Sequence, residues 1–215
     1  MLPAMKQALH LRLGAALVVG VLFLTLGIGC TSSLPLTIAS VENKKTVVTP
    51  RFKDGFYRVD RDKDLYFVLR KTTTDPETKQ AVEQIVLVRM FWRPLGGRTT
   101  MNPMALNATF RYIVMSPNAV GMYEGAGFVR IDRTPGKPYM KARIVDGDLR
   151  LTEASANFND NLGRARFRGN FAANLSSLQE FDQAAAAQRE FFHRSLELGK
   201  KAEGNTTQPE AATQP

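Results

Sequence analysis

The sequence predicts an all-β domain: an antiparallel β-sandwich or partly open barrel of about eight strands, with one C-terminal α-helix. Three observations carry this. From 46 to 173, short runs of β-branched and aromatic residues are separated by clusters of Gly, Pro, Asn and Asp. In 164–173, RARFRGNFAA, small or aromatic residues alternate with Arg and Asn, the two-residue period of a half-buried strand. Beyond 177 the period lengthens, and Leu178, Phe181, Ala185, Phe192 and Leu196 fall on one helical face.

In chain order, strands are expected at 46–49, 55–59, 65–71, 82–92, 108–115, 119–131, 139–145, 149–155 and 164–173. That is nine candidates, one more than the expected eight. Asp75 and Pro76 centre a turn over 73–79. Within 82–92 the run Ile85 to Val88 reads as buried on both faces. Trp92, beside Arg93, reads as core or as a sheet-edge cap, with a ligand pocket as the alternative. The stretch 94–107, carrying Gly96, Gly97 and Pro103, is the longest irregular segment. Gly125 and Gly127 in YEGAGFVR lack the Lys of a phosphate loop and suit close backbone packing or a bulge. Asp146 and Gly147 can take the positive φ angles of a two-residue hairpin turn between the seventh and eighth strands. Ser177 and Glu180 match a capping box, the alanines at 184–187 favour helix, and Gly199, Lys200 and Lys201 end it. NTTQPEAATQP, after Gly204, has no apolar period and reads as disordered.

The 215 residues allow one ordinary domain with tails. One cysteine excludes an intramolecular disulfide framework and any multi-cysteine zinc or iron–sulfur site. The leader carries Lys6 and Arg12 and no acid, then 13–29, LGAALVVGVLFLTLGIG, apolar or small apart from Thr25. As a helix this run spans roughly 25 Å, which fits either a cleaved export signal or a tight single span. Its end, Leu26, Gly27, Ile28, Gly29 and Cys30, resembles the lipobox of bacterial lipoprotein signals, in which a small residue directly precedes a cysteine closing the apolar run. Gly27 stands where that pattern usually has an aliphatic residue, and Leu26 sits one place early.

The resemblance covers only these first residues. It implies a diacylglyceryl group on the Cys30 thiol, cleavage after Gly29, and a lipid-anchored protein of the cell envelope facing the periplasm or exterior. In a Gram-negative host, Thr31, Ser32 and Ser33 in place of Asp after the cysteine imply the outer membrane. The alternative is an uncleaved span with a plain thiol. The resulting organisation is 1–29 signal peptide, 30–45 tether with Pro35, Lys44 and Lys45, 46–199 β domain with its helix, and 200–215 disordered tail.

Without 1–29 the net charge falls from +9 to +7 and His193 is the one histidine left, read as a helix-surface residue. With Cys30 committed to the anchor and no Gly-x-Ser-x-Gly elbow, nothing assembles a nucleophilic triad. Asp60, Asp62 and Asp64 alternate like the opening of a calcium loop, but Leu65 and Lys71 stand where that loop needs Gly and Glu, so they read as a charged turn. Glu124 with Asp132 or Glu153 are the carboxylates a hydrolase would use. No cofactor or metal is expected.

The most distinctive feature is a basic face. A meander of the last three strands gathers Lys141, Arg143, Arg150, Arg164, Arg166 and Arg168 on one outer surface. It suits an anionic lipid, an envelope glycan or an acidic protein. The competing reading is a solvated face whose arginines pair with Glu153, Asp148 or Asp160. Nucleic acid is set aside because export removes the chain from that pool. The expected function is a non-enzymatic binding or scaffolding module at a membrane surface. The rivals are a structural subunit of an envelope assembly, a carboxylate-dependent hydrolase and a signal-anchored membrane protein.

Overall fold

Alternation along each strand decides which side of a sheet is buried, and here the buried sides face one another across a ring. The computed structural model describes residues 35–91 and 106–176, and, in the C-terminal helix, 181–182, 186, 189–195 and 197–198. The strands are β1 (Leu36–Ser40), β2 (Val47–Val48), β3 (Asp54–Val59), β4 (Leu65–Thr74), β5 (Ala81–Met90), β6 (Ala108–Met115), β7 (Val120–Ile131), β8 (Tyr139–Ala154) and β9 (Ala165–Leu175). From β3 to β9 each strand lies antiparallel to its sequence neighbour. The other edge of β9 is shared. Ala165 to Gly169 pair antiparallel with β1, while Asn174 and Leu175 pair parallel with Phe56 and Tyr57 of β3. That short parallel contact closes seven strands, β3 to β9, into a barrel, and β1 and β2 extend the sheet beyond the closure. The fold is all-β with one C-terminal helix, α1, and the barrel is closed rather than partly open.

Inside the ring, Leu65, Phe67 and Leu69 of β4 meet Val86, Val88 and Met90 of β5 and Phe110 and Tyr112 of β6, all fully or nearly fully buried. Rings pack edge to face, Phe67 on Phe171 with centroids 5.2 Å apart and Phe110 on Phe167 at 5.3 Å. A second apolar cluster lies outside the ring, where Phe181 and Phe191 of α1 cover Val68, Ile85, Ile113, Met115, Val120 and Met122. Among the described residues no helix is long and apolar enough to cross a membrane.

Three features differ from the sequence expectation. The span 30–45 is not all tether, because β1 lies within it. Leu36 and Ile38 are fully buried, seated on the part of β9 that β3 leaves unpaired. Asp146 and Gly147 form no hairpin turn, and β8 runs through them unbroken from 139 to 154. Neither has the positive φ that turn needs, whereas Gly136, between β7 and β8, does at 95°. The pair instead marks an irregularity where β8 leaves β9 between Ile144 and Asp148 and shifts against β7 at Phe128/Val129. So two expected strands merge into one and an unexpected strand is added. On α1, Phe191 rather than Phe192 faces the barrel, being fully buried while Phe192 is 40% exposed.

The expected turn around Asp75 and Pro76 is present, between Thr74 and Ala81. Gly125 and Gly127 do serve close packing. A Cβ on Gly125 would sit 1.6 Å from the carbonyl oxygen of Asp148, and one on Gly127 would sit 2.2 Å from that of Asp146. Trp92, most of the 94–107 segment, Ser177, Glu180, Leu178, Ala185, Leu196, the 199–201 helix end and the 200–215 tail lie outside the described residues.

The β6 entry is held by a side chain imitating backbone. Asn107 is fully buried; its Nδ2 donates to the carbonyl of Val129 at 2.9 Å and its Oδ1 accepts the N–H of Val129 at 2.7 Å. Its own N–H and C=O bond to Gly127 and Phe91, both at 3.0 Å. Replacing Asn107 by Ala strands both polar groups of Val129 inside the protein, and stability in denaturant titrations should fall by about 2–4 kcal/mol. A loss under about 1 kcal/mol would mean that water substitutes for the amide.

Candidate functional site

The outer side of β8 and β9 is built by alternation, unbroken on β9 up to Ala173 but shifted by one residue on β8, where the irregularity at 145–147 moves the buried positions from even to odd numbers. On β9, Ala165, Phe167, Phe171 and Ala173 are buried while Arg166, Arg168 and Asn170 are exposed, with Arg164 exposed just before the strand. On β8, Met140, Ala142, Ile144 and Leu149 are buried while Lys141, Arg143 and Arg150 are exposed. All six expected cations therefore stand on the outer side of the barrel. They are not equivalent. Arg164 contacts Asp148 at 2.6 Å and Arg168 contacts Asp146 at 2.8 Å. The hydrogen bond to Asp148 raises the Arg164 guanidinium further above its ordinary value. Among the described residues no ion pair forms at Lys141, Arg143, Arg150 or Arg166.

Register divides these four. Arg150 stands opposite Glu124 on β7, and Arg166 opposite Asp148 on β8. Arg143 stands opposite Asn170 on one side and Arg130 of β7 on the other, with Lys141 two places away on β8. Arg130 is exposed and belongs to this cluster. Its place near the end of an expected strand was visible in the sequence, but its neighbour was not. The same row reaches the start of the fold, since the Asn170 N–H donates to the carbonyl of Pro35 at 3.3 Å. Cys30 lies outside the described residues.

The carboxylates raised for hydrolytic chemistry occupy three different register positions. Glu124 is held by Arg111 at 2.6 Å, Glu153 stands opposite Met122, and Asp132, beyond the far end of β7, accepts the Lys141 N–H at 2.9 Å. In the 60–64 turn, Asp60 Oδ1 accepts the Asp64 N–H at 2.8 Å, and Asp64 pairs with Arg89 at 2.9 Å. Among the described residues no group of His, Cys, Asp and Glu is placed to hold a metal ion. His193 is exposed on α1. Comparison with protein-family models, curated proteins and solved structures finds no match for the chain.

Two buried phenols are the most perturbed titratable groups among those described. Tyr112 and Tyr123 lie inside the barrel with ring centroids 5.9 Å apart. Tyr112 donates to Gln84 at 3.1 Å and Tyr123 to Asp160 at 2.7 Å. Asp160 also accepts the N–H groups of Leu162 and Gly163, so it organises its loop and is no arginine's partner in this structure. Burial pushes both phenols well above their ordinary range, and for Tyr123 the Asp160 carboxylate adds to the effect. A raised folded-state value contributes stability below the unfolded value near 10, and that stability is lost as pH rises, because only the unfolded chain releases the protons. The melting temperature should fall steeply above about pH 10, with Tyr112 and Tyr123 each contributing up to about 1.4 kcal/mol per pH unit. Tyr123→Phe should show a shallower slope between pH 10 and 11. Identical slopes would mean that the phenol ionises inside the fold.

Proposed function

We propose that the chain is a lipid-anchored envelope protein acting as a non-enzymatic binding module at the membrane surface, with Arg130, Lys141 and Arg143 turned toward anionic headgroups. The observation that carries this is the hydrogen bond from Asn170 to Pro35, because it seats the start of the fold beside the row Asn170, Arg143, Arg130. An anchor at Cys30 leaves residues 31–35 as the tether, a reach of at most about 18 Å at full extension. A tether this short allows the cationic corner to approach a charged membrane surface, where each Lys or Arg contributes about 1 kcal/mol. The arginines paired with Asp146 and Asp148 add little net charge.

The mass of the N-terminal peptide from membrane-extracted protein tests the anchor: a peptide starting at Cys30 with added acyl mass is expected. One retaining Met1 with a plain Cys30 makes this a signal-anchored membrane protein. For the surface, a chain beginning at Thr31 should bind phosphatidylglycerol vesicles in preference to neutral ones, and less as salt rises. Arg130→Gln, Lys141→Gln and Arg143→Gln together should weaken that binding about 100-fold. Removing both ion pairs whole, by R164Q with D148N and R168Q with D146N, should leave it near the parent's. If the triple variant binds as the parent does, the membrane-facing role of this corner is lost, and an envelope glycan or acidic protein becomes the ligand to seek.

A further inference from the structure

The opposite side of the ring carries a second feature, independent of the anchor. Register sets Arg58, Tyr66, Arg89 and Thr109 side by side across the outer faces of β3 to β6, with Val68, Leu87 and Arg111 in the next row. Phe181 of α1 stands against these rows, and between them lies a cavity of about 620 Å³. That volume is within the range of small-molecule sites, roughly 300–1,000 Å³.

Its three arginines differ in what they still have to offer. Arg89 is held by Asp64 at 2.9 Å and Arg111 by Glu124 at 2.6 Å. Arg58 is stacked instead, its guanidinium 4.1 Å from the ring centre of Phe181 and 5.4 Å from that of Tyr66. Stacking uses the faces of the guanidinium and leaves the in-plane N–H donors unspent. Arg58 Nε is buried with no hydrogen-bond partner, and Asp182, which also lines the cavity, forms no ion pair with it. A buried donor without an acceptor lowers stability, and the Arg58 side chain that carries it lines a cavity of ligand size, where an arriving acceptor meets the guanidinium. The floor beside it is apolar and aromatic.

We propose that this cavity binds a small amphipathic anion, its carboxylate or phosphate head on Arg58 and its apolar body over Tyr66, Leu87 and Phe181. The fork of Arg58 matches either head group, and the rings that hold the guanidinium fix its direction before any ligand arrives.

The test is equilibrium binding of decanoate, monodecyl phosphate, 1-decanol and inorganic phosphate to the detergent-solubilised full chain, with Arg58→Gln and Thr109→Trp measured in the same detergent. Saturable binding of decanoate or monodecyl phosphate is expected, at least tenfold tighter than that of 1-decanol or inorganic phosphate. The preferred head group identifies the ligand class. Both variants should weaken binding tenfold or more, and subtracting them removes partition into micelles. Should Arg58→Gln fail to fold, Thr109→Trp decides, since Thr109 is exposed at the cavity. Absence of saturable binding by either anion, or binding unchanged in the folded variants, overturns the proposal. Loss of the anchor or of vesicle binding leaves it standing.

Discussion

The barrel depends on one long strand changing its neighbours along its length. β8 has 16 residues, and β9 pairs with it only at 139–144 and 148–149. From that gap into the second stretch the backbone of β8 presses on β7, so closely that only glycine fits at 125 and 127. Gly147 stands opposite Gly127, and the ring of Phe110 fills the space that side chains on those two residues would take. A sheet of seven strands has to turn corners to close, and a bulge with glycines on facing strands is the usual device. With the corner made there, β9 is carried round to meet β3, and two residue pairs suffice to complete the ring.

Closure sorts the chemistry. Apolar and aromatic residues of the alternating strands go inside, so the charged ones are left on the outer surface, except along the strip that α1 covers. Many of these charges are spent on one another: Arg70 with Glu83, Arg111 with Glu124, Arg164 with Asp148, Arg168 with Asp146. Exposed pairs of this kind contribute little to stability. Their larger effect is to leave particular cations without partners, the corner around Arg143 on one side of the ring and the stacked Arg58 on the other.

How far the candidate site could be read in advance follows from the same division. RARFRGNFAA announces one buried and one basic face, and the structure has both. Asp148 is among the partners the sequence offers and does hold Arg164; that Arg168 is neutralised too cannot be read there, because its partner Asp146 has the local signature of a turn and only register brings the two together. Arg58 carries no signal of its own in the sequence, since nothing in FYRVD says that an aromatic ring from a helix more than a hundred residues later will stack on it.

β1 shows the limit most plainly. LTIAS is five residues between a proline and a polar stretch, and its composition suits a tether as well as a strand; what buries Leu36 and Ile38 is the unpaired half of β9. By itself the sequence determined the all-β class, the C-terminal helix, the two-faced character of β8 and β9, the basic surplus and the apolar run ending at the lone cysteine. Each of these is a matter of local period or composition. The tertiary structure decided the closure, the place of β1, the fate of Asp146 and Gly147, and which cations are left without partners. Those depend on which distant strand lies alongside, and a two-residue period carries no information about its partner's register.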